Sequence, residues 1–439
     1  MGRASRHGHV QAAGWLPSGL AVLVALACAV GLAVATGGAA RPPAAAPGVD
    51  ACGPRWVAGW QAAAEAGPRP EGLGGATVRM VVDPQVTGSQ VRLRLSNAYG
   101  TTPLAVGAAT AARSDGAAGM VAGSGRPVAF GGQQSVVIPP GGHVMSDPVP
   151  LVAEVGRPLA VSLFLPVVPE VLTQHSVALR DTYLSGRGDA TFADASAFPA
   201  VLPSWPVLSG VEVRVPRAVN AVVAVGDSIT DGVGAASGQR WTDVLSARIA
   251  DTGGAATMAV LNAGISGNRL LPDDGPRHGE PVTDRLDRDV LTVAGATDVV
   301  LHVGTNDIAT GRGAEELVAG LRLVAERARS AGKRVFLTTV TPSTTGPRGT
   351  PGGLAAREEV NAWVRAHGRE HADGVFDFAA AVADPADPSR LAPPYDAGDG
   401  LHLSAAGYRA LAAAVDPTLL TGSPCLSGDP AARVVVAGR

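Results

Sequence analysis

The sequence predicts two architectures in series: an antiparallel all-β sandwich or jelly roll over residues 55–216, then a three-layer α/β fold built on a parallel sheet over residues 217–416. Three observations carry this expectation. Before Pro216, apolar and charged residues alternate at period two, as in Val91-Arg-Leu-Arg-Leu95 and Val211-Glu-Val-Arg-Val215, with no stretch of helical period. Beyond Pro216, short buried-looking runs alternate with amphipathic helical stretches, the pattern of repeated βα units. With 439 residues and 46% hydrophobic content, the chain has room for two real cores. A net charge of −3 and the lack of a basic run exclude nucleic acid as an expected partner.

Arg3 and Arg6 precede an uncharged apolar run from about Leu20 to Ala35, closed by small residues up to Ala40. That order matches a secretory signal over residues 1–40, with Ala33-Val34-Ala35 as a cleavage site. Read instead as uncleaved, the run is a single-pass membrane anchor. In both cases the bulk of the chain sits outside the cytoplasm. Residues 41–54, small and Pro-rich, read as a linker. Of three cysteines, Cys28 falls in the targeting segment, which leaves Cys52 and Cys425 as an expected disulfide in an oxidising compartment. No Cys/His cluster has metal-site spacing, and no cofactor is expected.

In the first region, strands are expected at Thr77–Val82, Val91–Leu95, Ser135–Ile138, Leu159–Leu165 and Val211–Val215, separated by Gly/Pro/Ser/Asn clusters such as Pro139-Pro-Gly-Gly142. In the second, Ala221–Val225 reads as a buried parallel strand. A helix marked by Trp241, Val244, Leu245 and Ile249 follows, then a strand at Ala259–Leu261 and a long loop rich in Gly, Pro and Asp. Strand Asp298–Val303, helix Glu315–Ser330, strand Arg334–Val340, helix Leu354–Ala372 and strand Val375–Phe378 come next. Ser404 reads as the N-cap of a closing helix, Ala405–Val415, and residues 417–439 as a tail.

Three expected strands run directly into loops: Gly226-Asp-Ser228, Asn262-Ala-Gly-Ile-Ser-Gly-Asn268 and Gly304-Thr-Asn-Asp307. In a parallel sheet these strand ends share one edge, where open α/β folds hold their ligands. A fourth segment, Asp399-Gly-Leu-His402, precedes the closing helix and can complete the ring.

The four blocks GDSITDG, NAGISGN, GTNDI and DGLH, in this order over roughly 219–416, resemble those of the SGNH hydrolases, also called GDSL esterases and lipases. The resemblance implies a flavodoxin-like parallel sheet and acyl transfer through an acyl-serine. It also implies Ser228 as nucleophile, His402 as general base and Asp399 as the group orienting the imidazole. The Ser228 and Gly267 backbone N–H groups and the Asn306 side-chain amide are then the oxyanion donors. The chemistry agrees: a serine hydroxyl needs a base, the base needs a fixed tautomer, and the developing oxyanion needs aimed donors. Asp227 and Asp307 read as turn residues, His302 as a packed histidine and Arg187-Gly-Asp189 as a coincidental tripeptide. A secreted esterase acting on short-chain acyl esters, polysaccharide acetyl groups included, is the expected function. A lipid or lysophospholipid esterase, and a glycan-binding surface protein with a vestigial hydrolase domain, are the two alternatives.

Overall fold

The structure is a computed structural model that describes residues 52–251, 258–273, 278–423 and 425. The expected signal or anchor, most of the linker and the end of the tail lie outside the described residues. Those described all belong to one unit, Gly48–Arg439. Among them no helix is long and apolar enough to cross a membrane.

Up to Val215 the strands pair antiparallel. One sheet has the order Arg55–Gln61, Leu208–Val215, Val91–Ser96, His143–Met145. A second runs Ala200–Leu202, Thr182–Arg187, Ala76–Val82, Leu159–Leu165, Ala108–Gly116. A third, smaller sheet joins Trp205–Pro206, Val171–His175 and Glu65–Pro68. Each strand expected here is present, with ends shifted by a few residues. Ala108–Gly116 had no strand signature because its alanines have little intrinsic β preference. It is a strand because Leu159–Leu165 pairs with it and its centre is buried, a tertiary effect.

The parallel sheet comprises β1 (Asn220–Gly226), β2 (Met258–Gly264), β3 (Ala296–His302), β4 (Arg334–Thr338) and β5 (Gly374–Phe376), in the order β2-β1-β3-β4-β5. The strand order reverses direction between β1 and β3, and the carboxyl ends beside such a reversal are where open α/β sheets hold their ligands. The helices are α1 (Ser228–Asp231), α2 (Trp241–Asp251), α3 (Val282–Leu286), α4 (Thr305–Ala309), α5 (Ala314–Ser330), α6 (Pro351–His371), α7 (Phe378–Val382) and α8 (Ala405–Ala414). Strand residues alternate between two cores, as period two requires. Val223, Val225, Leu261 and Leu301 join Leu317 and Leu321 of α5 and Val360 of α6. Val222, Ala224, Val260 and Val300 join Trp241 and Leu245 of α2 and Leu411 of α8. Cutting one of the leucines among them back to alanine would cost about 2–5 kcal/mol.

The first of these cores continues into the antiparallel region through Val57, Val211 and Val213, and the Ala58 N–H donates to Ala294 O at 2.8 Å. Two segments differ from expectation. The stretch read as loop carries α3 and a π-helical turn, Asp287–Leu291, because Val282, Leu286 and Val290 recur every four residues and bury together. Residues 419–423 run across the start of the sheet: Asn220 donates to Leu420 O and receives the Ser423 N–H, and Gly422 N–H donates to Asp298. Cys52 and Cys425 form a disulfide with their Cα atoms 5.4 Å apart.

Candidate active site

Gly226 ends β1 because nothing larger fits: a Cβ there would lie 2.3 Å from both the His302 carbonyl oxygen and the Thr230 hydroxyl. The chain turns at Asp227, whose carboxylate accepts the Ile229 N–H at 3.0 Å and caps α1. Ser228, 4% exposed, opens that helix at the carboxyl edge of the sheet. Its hydroxyl lies 2.9 Å from Nε2 of His402. The other ring nitrogen, Nδ1, lies 2.6 Å from Oδ2 of Asp399. A carboxylate only accepts, so Nδ1 carries the proton and Nε2 turns its lone pair to the serine hydroxyl.

The Asp399–His402 turn fastens itself. Oδ1 of Asp399 accepts the backbone N–H groups of Leu401 and His402 at 2.9 and 2.8 Å. Partial burial alone would raise the Asp399 pKa, but these bonds and the imidazole outweigh it and hold the carboxyl below its ordinary range. Asp399 is thereby kept ionised beside the ring.

The loop after β2 and the start of α4 meet next to this pair. In-register pairing sets Gly226 against Gly264 on one side and His302 on the other, so the three strand ends are level. Gly267 has φ +78°, and a Cβ there would strike the His278 ring. Nδ2 of Asn306 donates one hydrogen to Asn268 O at 2.9 Å, which leaves its second hydrogen uncommitted. Asp307 accepts the Leu270 and Leu271 N–H groups at 2.9 and 3.0 Å, pinning the loop to α4. Burial pushes the Asp307 carboxyl up to about 6 against those two bonds, and Asp227, wholly buried, up to about 7. His302, with burial driving its pKa down to about 3, is neutral and bonded to the Thr338 hydroxyl at 2.8 Å.

Two arginines that sequence reading missed hold these loops. Arg285 is fully buried, and its guanidinium donates to Gly226 O, Ala263 O, the Asn268 side chain and Asp289, at 2.8–3.0 Å. It therefore clamps the ends of β1 and β2 to the loop that carries Gly267. Only the Arg–Asp spacing of four within an overlooked helix could have signalled it. Arg348 donates through Nε to the Thr305 carbonyl and hydroxyl, and through Nη2 to Oδ1 of Asn306 at 2.6 Å. That last bond fixes which end of the Asn306 amide faces which way. No motif in the chain points to Arg348.

The match to known proteins falls on this same region. The family model described as GDSL-like lipase/acylhydrolase matches residues 224–410. Residues 224–410 are a GDSL-like lipase/acylhydrolase domain. The protein carrying this acylhydrolase domain is a carboxylic ester hydrolase. Among curated proteins no sequence matches the chain significantly. Solved structures similar to it include a carbohydrate acetylesterase from Sinorhizobium meliloti, 20% identical over 44% of this chain and 94% of that one, with a TM-score of 0.36. An aryl esterase from M. smegmatis is 18% identical over 47% of this chain and 100% of its own, with a TM-score of 0.37. A GDSL-like lipase from Bacteroides thetaiotaomicron is 23% identical over 45% of this chain and 87% of its own, at 0.35.

Proposed function

We propose that the acylhydrolase domain is a serine esterase in which Ser228 Oγ attacks the ester carbonyl while Nε2 of His402 takes its proton. The imidazolium, steadied by Asp399, then protonates the departing alcohol, leaving an acyl-serine. Water attacks the acyl carbon with His402 again as base, the carboxylic acid leaves and Ser228 recovers its proton. In both steps the oxyanion takes hydrogen bonds from the backbone N–H of Ser228 and Gly267 and from the uncommitted hydrogen on Asn306 Nδ2. The observation that carries this reading is the continuous chain Asp399–His402–Ser228 at 2.6 and 2.9 Å.

The substrate class we assign is a short acyl group, such as acetyl, on a bulky alcohol such as a polysaccharide. The Asp399 side chain is half exposed, 51%, and that of His402 keeps 18%, so the pair stands at an open rim with room for a large alcohol. Large exposed apolar side chains, Phe192, Val137 and Val167 among them, are elsewhere, and none sits in the four site loops, where a long acyl chain would need apolar cover. The Cys52–Cys425 disulfide supports secretion. We further read the acylhydrolase domain as three layers, with helices on both sheet faces, and residues 55–216 as a sandwich or jelly roll that shares one core with it. A panel of esters from acetylated xylan to long-chain lipids, ranked by kcat/KM, tests the substrate: acetyl esters should lead. A lead for long-chain lipids would reverse the assignment, and hydrolysis undiminished in Ser228→Ala would remove the nucleophile.

A further inference from the structure

Strand Val91–Ser96 presents Arg92, Arg94 and Ser96 on one face, since alternate residues share a side. Across the neighbouring strand Arg92 faces Glu212 and makes an ion pair with it. Arg94, two residues on, faces Gly210, which has no side chain to offer. On its other flank it faces Met145. Among the described residues the Arg94 guanidinium has no hydrogen bond and no ion pair, although it is half-buried and burial lowers its pKa.

The space left beside it is a cavity of about 270 Å³, walled on the far side by residues 280–294. Three carboxylates border it, and each is already engaged. Glu212 is held by Arg92, Asp289 by Arg285 and Arg288, and Glu280 by Arg288 and the Tyr99 hydroxyl. Asp289 and Glu212 act on Arg94 only through space. Burial and the nearby Arg94 charge both lower the pKa of His143 at the rim, so it adds no positive charge at neutral pH. The lining therefore has one cation without a contact partner, in a space near the small end of the range for ligand pockets. The Ser96 hydroxyl accepts the Ala98 N–H and keeps its own proton to donate.

We propose that this cavity binds a singly charged carboxylate on a ligand no larger than about one sugar ring, with Arg94 gripping the carboxylate through its guanidinium fork and Ser96 donating a further hydrogen bond. A planar monoanion matches one free guanidinium, whereas a dianion would meet the field of the three bordering carboxylates. The site is separate from Ser228 and does not depend on the esterase mechanism.

Two variants test it by isothermal titration calorimetry at low ionic strength, with glucuronate as probe and glucose as its uncharged twin. Arg94→Met removes the anchor. Gly210→Glu supplies the missing partner: a Cβ at 210 meets nothing nearer than 3.5 Å, so the new carboxylate can face Arg94 as Glu212 faces Arg92. The wild-type protein should bind glucuronate at least about tenfold more tightly than glucose, the scale of one charge-assisted bond. Both variants should lose that binding while keeping the wild-type melting temperature within a few degrees and unchanged kcat/KM on p-nitrophenyl acetate. Glucose binding as tightly as glucuronate, no glucuronate binding by the wild type, or binding that survives in either folded variant would overturn the proposal. Since binding is read without turnover, an inactive esterase would leave the result interpretable.

Discussion

The chain builds two histidine–aspartate pairs at opposite ends of the same short helix, α1, and they have opposite characters. At its start, His402 bonds Asp399 through Nδ1 and faces the Ser228 hydroxyl through Nε2, at a half-open rim. At its end, His175 meets Asp231 through Nε2 at 3.0 Å and the Ala63 carbonyl through Nδ1 at 2.9 Å, with side chains only 5% and 1% exposed. Both nitrogens of His175 are engaged, Nδ1 by the Ala63 carbonyl and Nε2 by Asp231, so neither is left as a free base beside a reacting group. Burial alone would lower its pKa, but Asp231 and the Ala63 bond reverse that and raise it above the ordinary 6.5. A histidine can shuttle protons only when one nitrogen is left as a free base next to a reacting group. By that criterion the first pair can do chemistry, and the second joins strand Val171–His175 to α1.

The sharpest way to separate the two is to remove each. Ser228→Ala should lower kcat on p-nitrophenyl acetate by about 10⁴ or more, with the thermal midpoint unchanged. His175→Phe should do the reverse. It strands Asp231 without its partner and should cost about 3–5 kcal/mol in chemical denaturation, while the folded fraction keeps its kcat within a few fold. That pair also has a pH signature. Since the folded pKa of His175 is raised, its contribution is complete below about 6.5 and fades as pH climbs through the folded value, and His175→Phe should lack that slope.

Smaller effects test how the oxyanion side is built. Asn306→Ala should keep the fold and lose roughly 10²–10³ in kcat. Arg348→Met should lose about 10- to 100-fold in kcat with KM little changed, because it frees the Asn306 amide to rotate, and Arg348→Lys should recover part of the loss. An equal rise in KM would instead make Arg348 a substrate contact. The least effect is expected from Asp227→Asn. The wild-type carboxyl, raised to about 7, contributes fully below its unfolded value near 3.8, and this contribution is lost as pH rises through 7. The amide should still cap α1 and should flatten that part of the stability profile, read from melting temperatures between pH 4 and 8.

Much of this was legible beforehand, for identifiable reasons. The parallel strands announced themselves as valine- and alanine-rich runs closed by Gly226, Gly264 and Gly304. Level strand ends then follow from parallel pairing alone, so the three blocks after the strands could be placed at one edge from sequence, whereas Asp399–His402, which precedes a helix, is not placed by that pairing. What stayed hidden depends on contacts between residues far apart in sequence. Arg285 and Arg348 look like any other arginines until the carbonyls and amides they bond are folded around them. His175 lay in an unremarked segment, because nothing in Val171–His175 tells that Asp231 will be brought to it. The helix at 282–286 was obscured by the Gly, Pro and Asp residues upstream, although its fourfold spacing was present.

Covalent labelling with a fluorophosphonate, followed by intact mass and peptide mapping, tests the central claim most directly, since only an activated serine reacts quickly. One adduct per chain is expected, on Ser228, formed rapidly in the wild-type protein, slowly or not at all in His402→Ala, and at the wild-type rate in the folded fraction of His175→Phe. An adduct on another residue, or labelling of Ser228 undiminished by loss of His402, would contradict it.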